Sequence, residues 1–287
     1  MIKTIENIYS PPDPHFVGDG FRVHNFIPSV IPMSRLNPFI MLDYNSPHRF
    51  PPSENPPGVG VHPHRGFETV TIAYQGKVAH HDSAGNSGVI GEGEVQWMTA
   101  ASGVLHKEYH EKDFAKHGGV FQMVQLWVNL PASQKMSPPR YQSITRDQII
   151  KIDLEDNGRV EIIAGQFEGN QGPAHTFTPV NLLNVFLHPN GHAKLSFDVQ
   201  DNTAMIVIKG SVQVLGQEIP SNHLVLFKND GTDIHISSHE ESIILFMSAE
   251  PLNEPIAAYG PFVMNTREEI MQAYQDFQQG KFGFLED

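Results

Sequence analysis

Residues 61–110 read VHPHRGFETVTIAYQGKVAHHDSAGNSGVIGEGEVQWMTAASGVLHKEYH, with His62 and His64 near the start and His106 and Glu108 near the end. In an extended segment side chains alternate between faces, so residues two apart point the same way. Each pair, H-x-H and H-x-E, therefore aims two donors at one spot. The chain between them is rich in β-formers and punctuated by Gly76, Gly85, Gly88, Gly91 and Gly93. That pattern suits hairpin returns that lay the later pair beside the earlier one. Three imidazoles and a carboxylate make a mixed nitrogen and oxygen set suited to a first-row divalent metal. The stretch predicts a metal site inside a small β-barrel.

Upstream, Phe21, Val23 and Phe26-Ile27 predict an early pair of strands, and the apolar run 39–42 a short buried strand ending at Asp43. Residues 46–57 hold Pro47, Pro51, Pro52, Pro56 and Pro57, which suits neither a central strand nor a helix interior. This loop is placed either to wall a cleft or simply to cross the surface. Downstream, strands are expected at 69–74, 77–81, 95–99 and 121–130, the last with a clear period of two. Residues 131–140 (PASQKMSPPR) read as a linker, which divides the chain into 1–145, carrying the metal, and 146–287. The second part has short runs at 160–164, 184–187, 193–197, 204–208, 212–214, 223–227, 233–237 and 242–248, a rhythm that predicts a second β-barrel. At the end, Thr266 and Glu269 fit a capping box, Ile270, Ala273, Tyr274 and Phe277 form a helical stripe, and Gly280 closes it. This helix is expected to pack on a barrel exterior.

The whole chain supports an all-β class. It has 287 residues, enough for two domains, and 24 glycines and 22 prolines that leave little room for long helices. The absence of cysteine excludes disulfides, thiolate ligands and iron–sulfur clusters, and fits a reducing compartment. A net charge of −13 disfavours direct binding to nucleic acid or to an anionic membrane. No run approaches the roughly 20 apolar residues of a membrane span, and the N-terminus lacks a signal-peptide core, so a cytoplasmic protein is expected.

With 16 histidines in the chain, spacing alone leaves open a metal site or a set of core and surface histidines. The second half has no H-x-H. His80 and His81 are adjacent and so face opposite sides of a strand; either one of them approaches the site or, more simply, both are hydrogen-bonded or solvated histidines. Trp97 and Trp127 lie in apolar strands and read as core residues.

The segments HPHRGFETVTI (62–72), DSAGNSGVIGEGEVQWMTAASGVLHKE (82–108), LWVNLP (126–131) and YGPFVMNT (259–266) closely resemble the pirin family of the cupin superfamily. The resemblance runs from about residue 37 to residue 283. It implies two tandem cupin barrels (double-stranded β-helix, or jelly-roll, barrels) with a short C-terminal helix. One metal would lie in the N-terminal barrel, on His62, His64, His106 and Glu108, and none in the C-terminal barrel. The general cupin pattern offers Glu68 as a ligand and an asparagine where this chain has His110. As in pirins, Glu108 is the better carboxylate, which leaves Glu68 as a hydrogen-bonding partner. Such a ligand set suits Fe(II) first, with Ni, Mn, Co and Cu compatible; a closed tetrahedral Zn stays an alternative.

The resemblance further implies quercetin 2,3-dioxygenase activity, in which a flavonol loses its hydroxyl proton and reacts with O2, releasing carbon monoxide and a ring-opened ester. Glu108 would accept that proton if it can leave the metal, since a tightly bound carboxylate is a poor base. The alternative is a metal-binding regulatory or redox-sensing partner of a transcription factor or metabolic enzyme, without turnover of its own. The expected partners are a flavonol and O2, with a protein in the second reading, and the chain is expected to be a monomer.

Overall fold

The computed structural model describes residues 1–286 and is built almost entirely of antiparallel strands. It divides into two units, and the division departs from a cut at 145/146. One unit holds residues 13–34, 39–146 and 252–287; the other holds 1–12, 35–38 and 147–251. The C-terminal helix therefore belongs with the histidine-bearing barrel, and the first twelve residues with the other one. The helix goes there because its apolar face has a ready partner, the strand pair Ala257–Tyr259 and Phe262–Met264 that just precedes it.

In the histidine-bearing unit a seven-stranded sheet runs in the order Arg140–Ile144, Val95–Thr99, Phe67–Gln75, Gly119–Asn129, Phe39–Phe50, Phe21–Ile27, His15–Val17. A four-stranded sheet runs Gly58–His64, Val104–His110, Val78–Asp82, Ser87–Ile90. The expected early pair is one strand, Phe21–Ile27, hairpinned to His15–Val17. The run expected to stop at Asp43 continues to Phe50 and through Pro47. Beyond Tyr44 that strand has lost its Phe21–Ile27 neighbour and pairs on one side only, so the missing proline N–H breaks no ladder bond. The prolines after it cross the surface and line no part of the cavity described below.

The other unit repeats the plan, again with a seven-stranded and a four-stranded sheet, so the regular strand spacing does mark a second barrel. The interiors differ in chemistry. That barrel is filled by aliphatic and aromatic side chains, among them Val160, Leu183, Leu195, Met205, Phe227, Ile234 and Phe246. The first barrel instead buries Glu68, Thr71, His80, Gln96, His106 and Glu108. Buried polar groups are costly without partners, so this interior has to be wired by hydrogen bonds or to hold a ligand.

The helix Arg267–Gln278 starts at a complete capping box between Thr266 and Glu269. It buries Ile270 and Ala273 against Phe262, Met264 and Phe282, while Phe277 from the expected stripe stays 38% exposed. Its Asp276 is buried and paired with Arg65. No helix among the described residues is long and apolar enough to cross a membrane.

Candidate metal centre

Strand register, more than sequence distance, assembles the site. Val104–His110 pairs with Gly58–His64 so that His106 lies opposite His62 and Val104 opposite His64. On its other side the same strand pairs with Val78–Asp82, setting Glu108 opposite His80. A bulge between His106 and Glu108 shifts the first pairing, so Glu108 meets Val59. The rings of His62 and His106 lie 4.3 Å apart centre to centre, and His64 lies 4.8 Å from each of them.

Two overlapping sets of donor atoms result. Those of His62, His64 and His106 lie within 4.8 Å of one another, and so do those of His80, His106 and Glu108. Three of the four residues singled out in the sequence thus converge directly. Glu108 joins them through His106 and lies beside His80, which was not counted among the ligands. Among the described residues, both sets lie in this one barrel.

The hydrogen bonds leave a defined nitrogen free on each ring. His62 Nδ1 donates to the Gly60 carbonyl at 2.8 Å, and His64 Nδ1 to the Pro261 carbonyl at 3.3 Å, so each turns Nε2 away from its anchor. His106 Nδ1 sits 3.5 Å from His80 Nδ1, and His80 Nε2 sits 3.1 Å from Asp82 Oδ2. His80 thus turns Nε2 to Asp82 and Nδ1 to His106. His106 is then left with Nε2, which is buried without a hydrogen-bond partner. A buried nitrogen lone pair beside two others is what a divalent cation would satisfy. The donor set fits such an ion.

Electrostatics agree. Burial, and then the neighbouring imidazoles, holds His64 and His106 well below the usual imidazole range, so both are neutral and ready to ligate at neutral pH. Burial raises Glu108, opposed by His80, His62, Thr71 and Gln96. Gln96 Nε2 donates to Glu108 Oε1, and the Thr71 hydroxyl lies 3.2 Å from the same oxygen. Tyr141 completes this wiring: its hydroxyl donates to Gln96 Oε1 at 3.2 Å while its ring stacks on His80 at 4.7 Å.

Glu68 belongs to neither donor set. It accepts a 2.6 Å bond from Thr99, and it is the core-facing partner expected of it. His110 is also away from the site, donating to the Gly20 carbonyl and packed on Phe121. Trp97 is a core residue, but Trp127 is not merely one. It stacks on Phe67 at 4.1 Å, meets His64 at 5.2 Å and lines the cavity over the histidines. That cavity, about 330 Å³, is walled by Phe21, Val23, Met41, Met123 and Trp127 and by the polar groups of Asp43, His62, His64, Glu108 and Gln125. Of the adjacent pair His80 and His81 it is His80 that approaches the site; its pairing with Asp82 has the same H-x-D alternation that marks the other pairs but carries no separate signal in the sequence.

Two antiparallel barrels on one plan, one apolar inside and one holding a histidine and carboxylate cluster under an open cavity, define a bicupin. The sequence matches the Pirin family model over residues 20–128 and that of the Pirin C-terminal cupin domain over residues 182–283. The chain belongs to the pirin family. A Pseudomonas aeruginosa relative, named provisionally as a quercetin 2,3-dioxygenase, is 45% identical over 98% of this chain and 99% of its own. Human pirin is 35% identical over 88% of this chain and 85% of its own. The crystal structure of an Acinetobacter baumannii protein titled quercetin 2,3-dioxygenase superposes with a TM-score of 0.94 at 44% identity, covering 99% of both chains.

Proposed function

We propose that this protein is a metal-dependent dioxygenase that opens a flavonol such as quercetin with O2, with one divalent metal, Fe(II) in the first instance, held by His62, His64, His106 and Glu108. The observation that carries the reading is the cavity itself. Its volume of about 330 Å³ is at the small end of the range for ligand sites, its apolar walls are valine, methionine, phenylalanine and tryptophan, and His62, His64 and Glu108 face into it. A closed structural ion needs no such chamber. The names of the close relatives support the same reaction class.

When bound, the metal supplies Lewis acidity and an electron path between an electron-rich substrate and O2. The protein's own groups do the rest. Trp127, Phe21, Met41 and Met123 offer flat apolar surface to an aromatic guest and exclude water from one side of it. Thr71 and Gln96 fix one oxygen of Glu108, so this carboxylate is oriented before any ligand arrives. Its place among the histidines suits a ligand better than a freely moving base.

The test is oxygen uptake and carbon monoxide release by metal-loaded protein supplied with quercetin. His62→Ala and His106→Ala are expected to lose metal and turnover together. Full turnover by a metal-free double variant would refute the proposal. Tight metal binding with no turnover of any flavonol would favour a sensing or partner-binding role instead.

A further inference from the structure

The cavity holds one more carboxylate, Asp43, that neither the donor sets nor the Glu108 wiring uses. It lies on the strand Phe39–Phe50, two residues from Met41 and hence on the same face, and both line the chamber. Across the sheet it is in register with Gln125 on one side and Asn25 on the other. Asn25 Nδ2 donates to Asp43 Oδ1 at 2.7 Å. Asn25 is itself fixed, giving Nδ2 to the Ile27 carbonyl at 2.9 Å and receiving the Ser29 backbone N–H at 3.1 Å. One carboxylate oxygen, Oδ1, is therefore clamped by Asn25.

We propose that Asp43 is the proton acceptor for the substrate hydroxyl, an inference that rests on the flavonol reading above. In this step the O–H bond of the flavonol breaks, its electron pair stays on the substrate oxygen, and the proton forms a new O–H bond at Asp43 Oδ2. Charge is conserved, since a carboxylate and a neutral flavonol become a carboxylic acid and a flavonolate, and no redox change occurs. The assignment also answers a difficulty with Glu108, which is fixed at one oxygen and needed among the metal donors. Burial raises the Asp43 carboxyl to about 6 against the pull of Asn25, close to the working pH that suits a general base. The titratable groups around it are His15 on the neighbouring hairpin and His62, His64 and Glu108 lining the same cavity.

The experiment is anaerobic titration of metal-loaded protein with quercetin, following the red-shifted absorption band of the flavonolate from pH 5 to 9. Wild type is expected to bind quercetin and to show the flavonolate at pH 7. Asp43→Asn is expected to keep its metal and bind quercetin within a few-fold, but to hold it protonated at pH 7. Its kcat should fall by about 10²–10⁴ when O2 is admitted, the usual worth of a positioned base. Asp43→Glu should recover part of both signals. Asn25→Ala, which keeps the carboxylate but removes its donor, should move the acid limb of the band to higher pH. A flavonolate band and pH profile in Asp43→Asn matching wild type would overturn the role of Asp43 and leave the flavonol reading standing. Failure of wild type to bind quercetin at all would sink both.

Discussion

His80 Nδ1 lies 3.5 Å from His106 Nδ1, and Asp82 holds the far side of the His80 ring at 3.1 Å. Burial works against charge on Asp82, but the bonds from His80 and from the Asn86 backbone and side chain outweigh it and keep the carboxyl below its usual range. The Asp82–His80–His106 line therefore holds His106 Nδ1 against His80 and leaves Nε2 for the donor cluster. His80→Phe keeps a ring to stack on Tyr141 but removes the nitrogen that His106 Nδ1 faces. It should weaken metal affinity by about 10–100-fold, the usual cost of losing a partner that orients a ligand, with the fold intact. Competition with a chelator of known affinity measures it. Unchanged affinity would show that His106 is oriented by packing alone.

Glu68 is wholly buried beside Thr99, and burial raises its carboxyl from an ordinary value near 4.5 to about 7. Between those values the folded protein binds a proton that the unfolded chain has released. The stability contributed is complete below about pH 4.5 and is lost as pH rises through about 7. Glu68→Gln cannot ionise, so it should match wild type near pH 4.5 and exceed it by on the order of 3 kcal/mol above pH 7. Urea midpoints from pH 5 to 8 at fixed metal content give the comparison. A gap that does not change with pH would mean that Glu68 is ionised in the fold throughout.

The local code was legible and the long-range pairing was not. Alternation along 61–110 was enough to aim His62 with His64 and His106 with Glu108, because period two is a property of any strand. The bulge between His106 and Glu108 depends on the partner strand, so no spacing rule reveals that Glu108 would lie beside His80. The apolar run at 39–42 predicted a strand, but its extension past Pro47 depends on which neighbour is missing there. Trp127 has the sequence context of a core residue and becomes a cavity wall only because His64 lies next to it. The capping box at Thr266 was readable since it is local. The helix's membership in the first barrel was not, because Arg65 and Asp276 meet across 211 residues of chain.

That last contact has a measurable consequence. Arg65 follows His64 directly; its Nη1 reaches Asp276 Oδ2 at 2.9 Å and its Nε the Ser102 carbonyl at 2.7 Å, with the guanidinium 4.7 Å from the Phe282 ring centre. Only 4% of the Arg65 side chain and 10% of the Asp276 side chain are exposed. Hydrogen bonds from Lys281 and then Arg65 hold the Asp276 carboxyl well below the usual carboxylate range. Because this pKa is depressed in the fold, the stabilisation is present above about pH 4 and is lost as pH falls toward the folded value. Asp276→Ala strands a buried guanidinium and should cost about 3 kcal/mol at pH 7. The gap to wild type should narrow steadily below pH 4. Since the Pro261 carbonyl that anchors His64 Nδ1 lies in the strand-pair segment beneath the same helix, loosening the helix should also weaken metal binding. Thermal unfolding and chelator competition on the one variant separate the two effects. Equal destabilisation at pH 3 and pH 7 would assign the cost to lost packing instead of the ion pair.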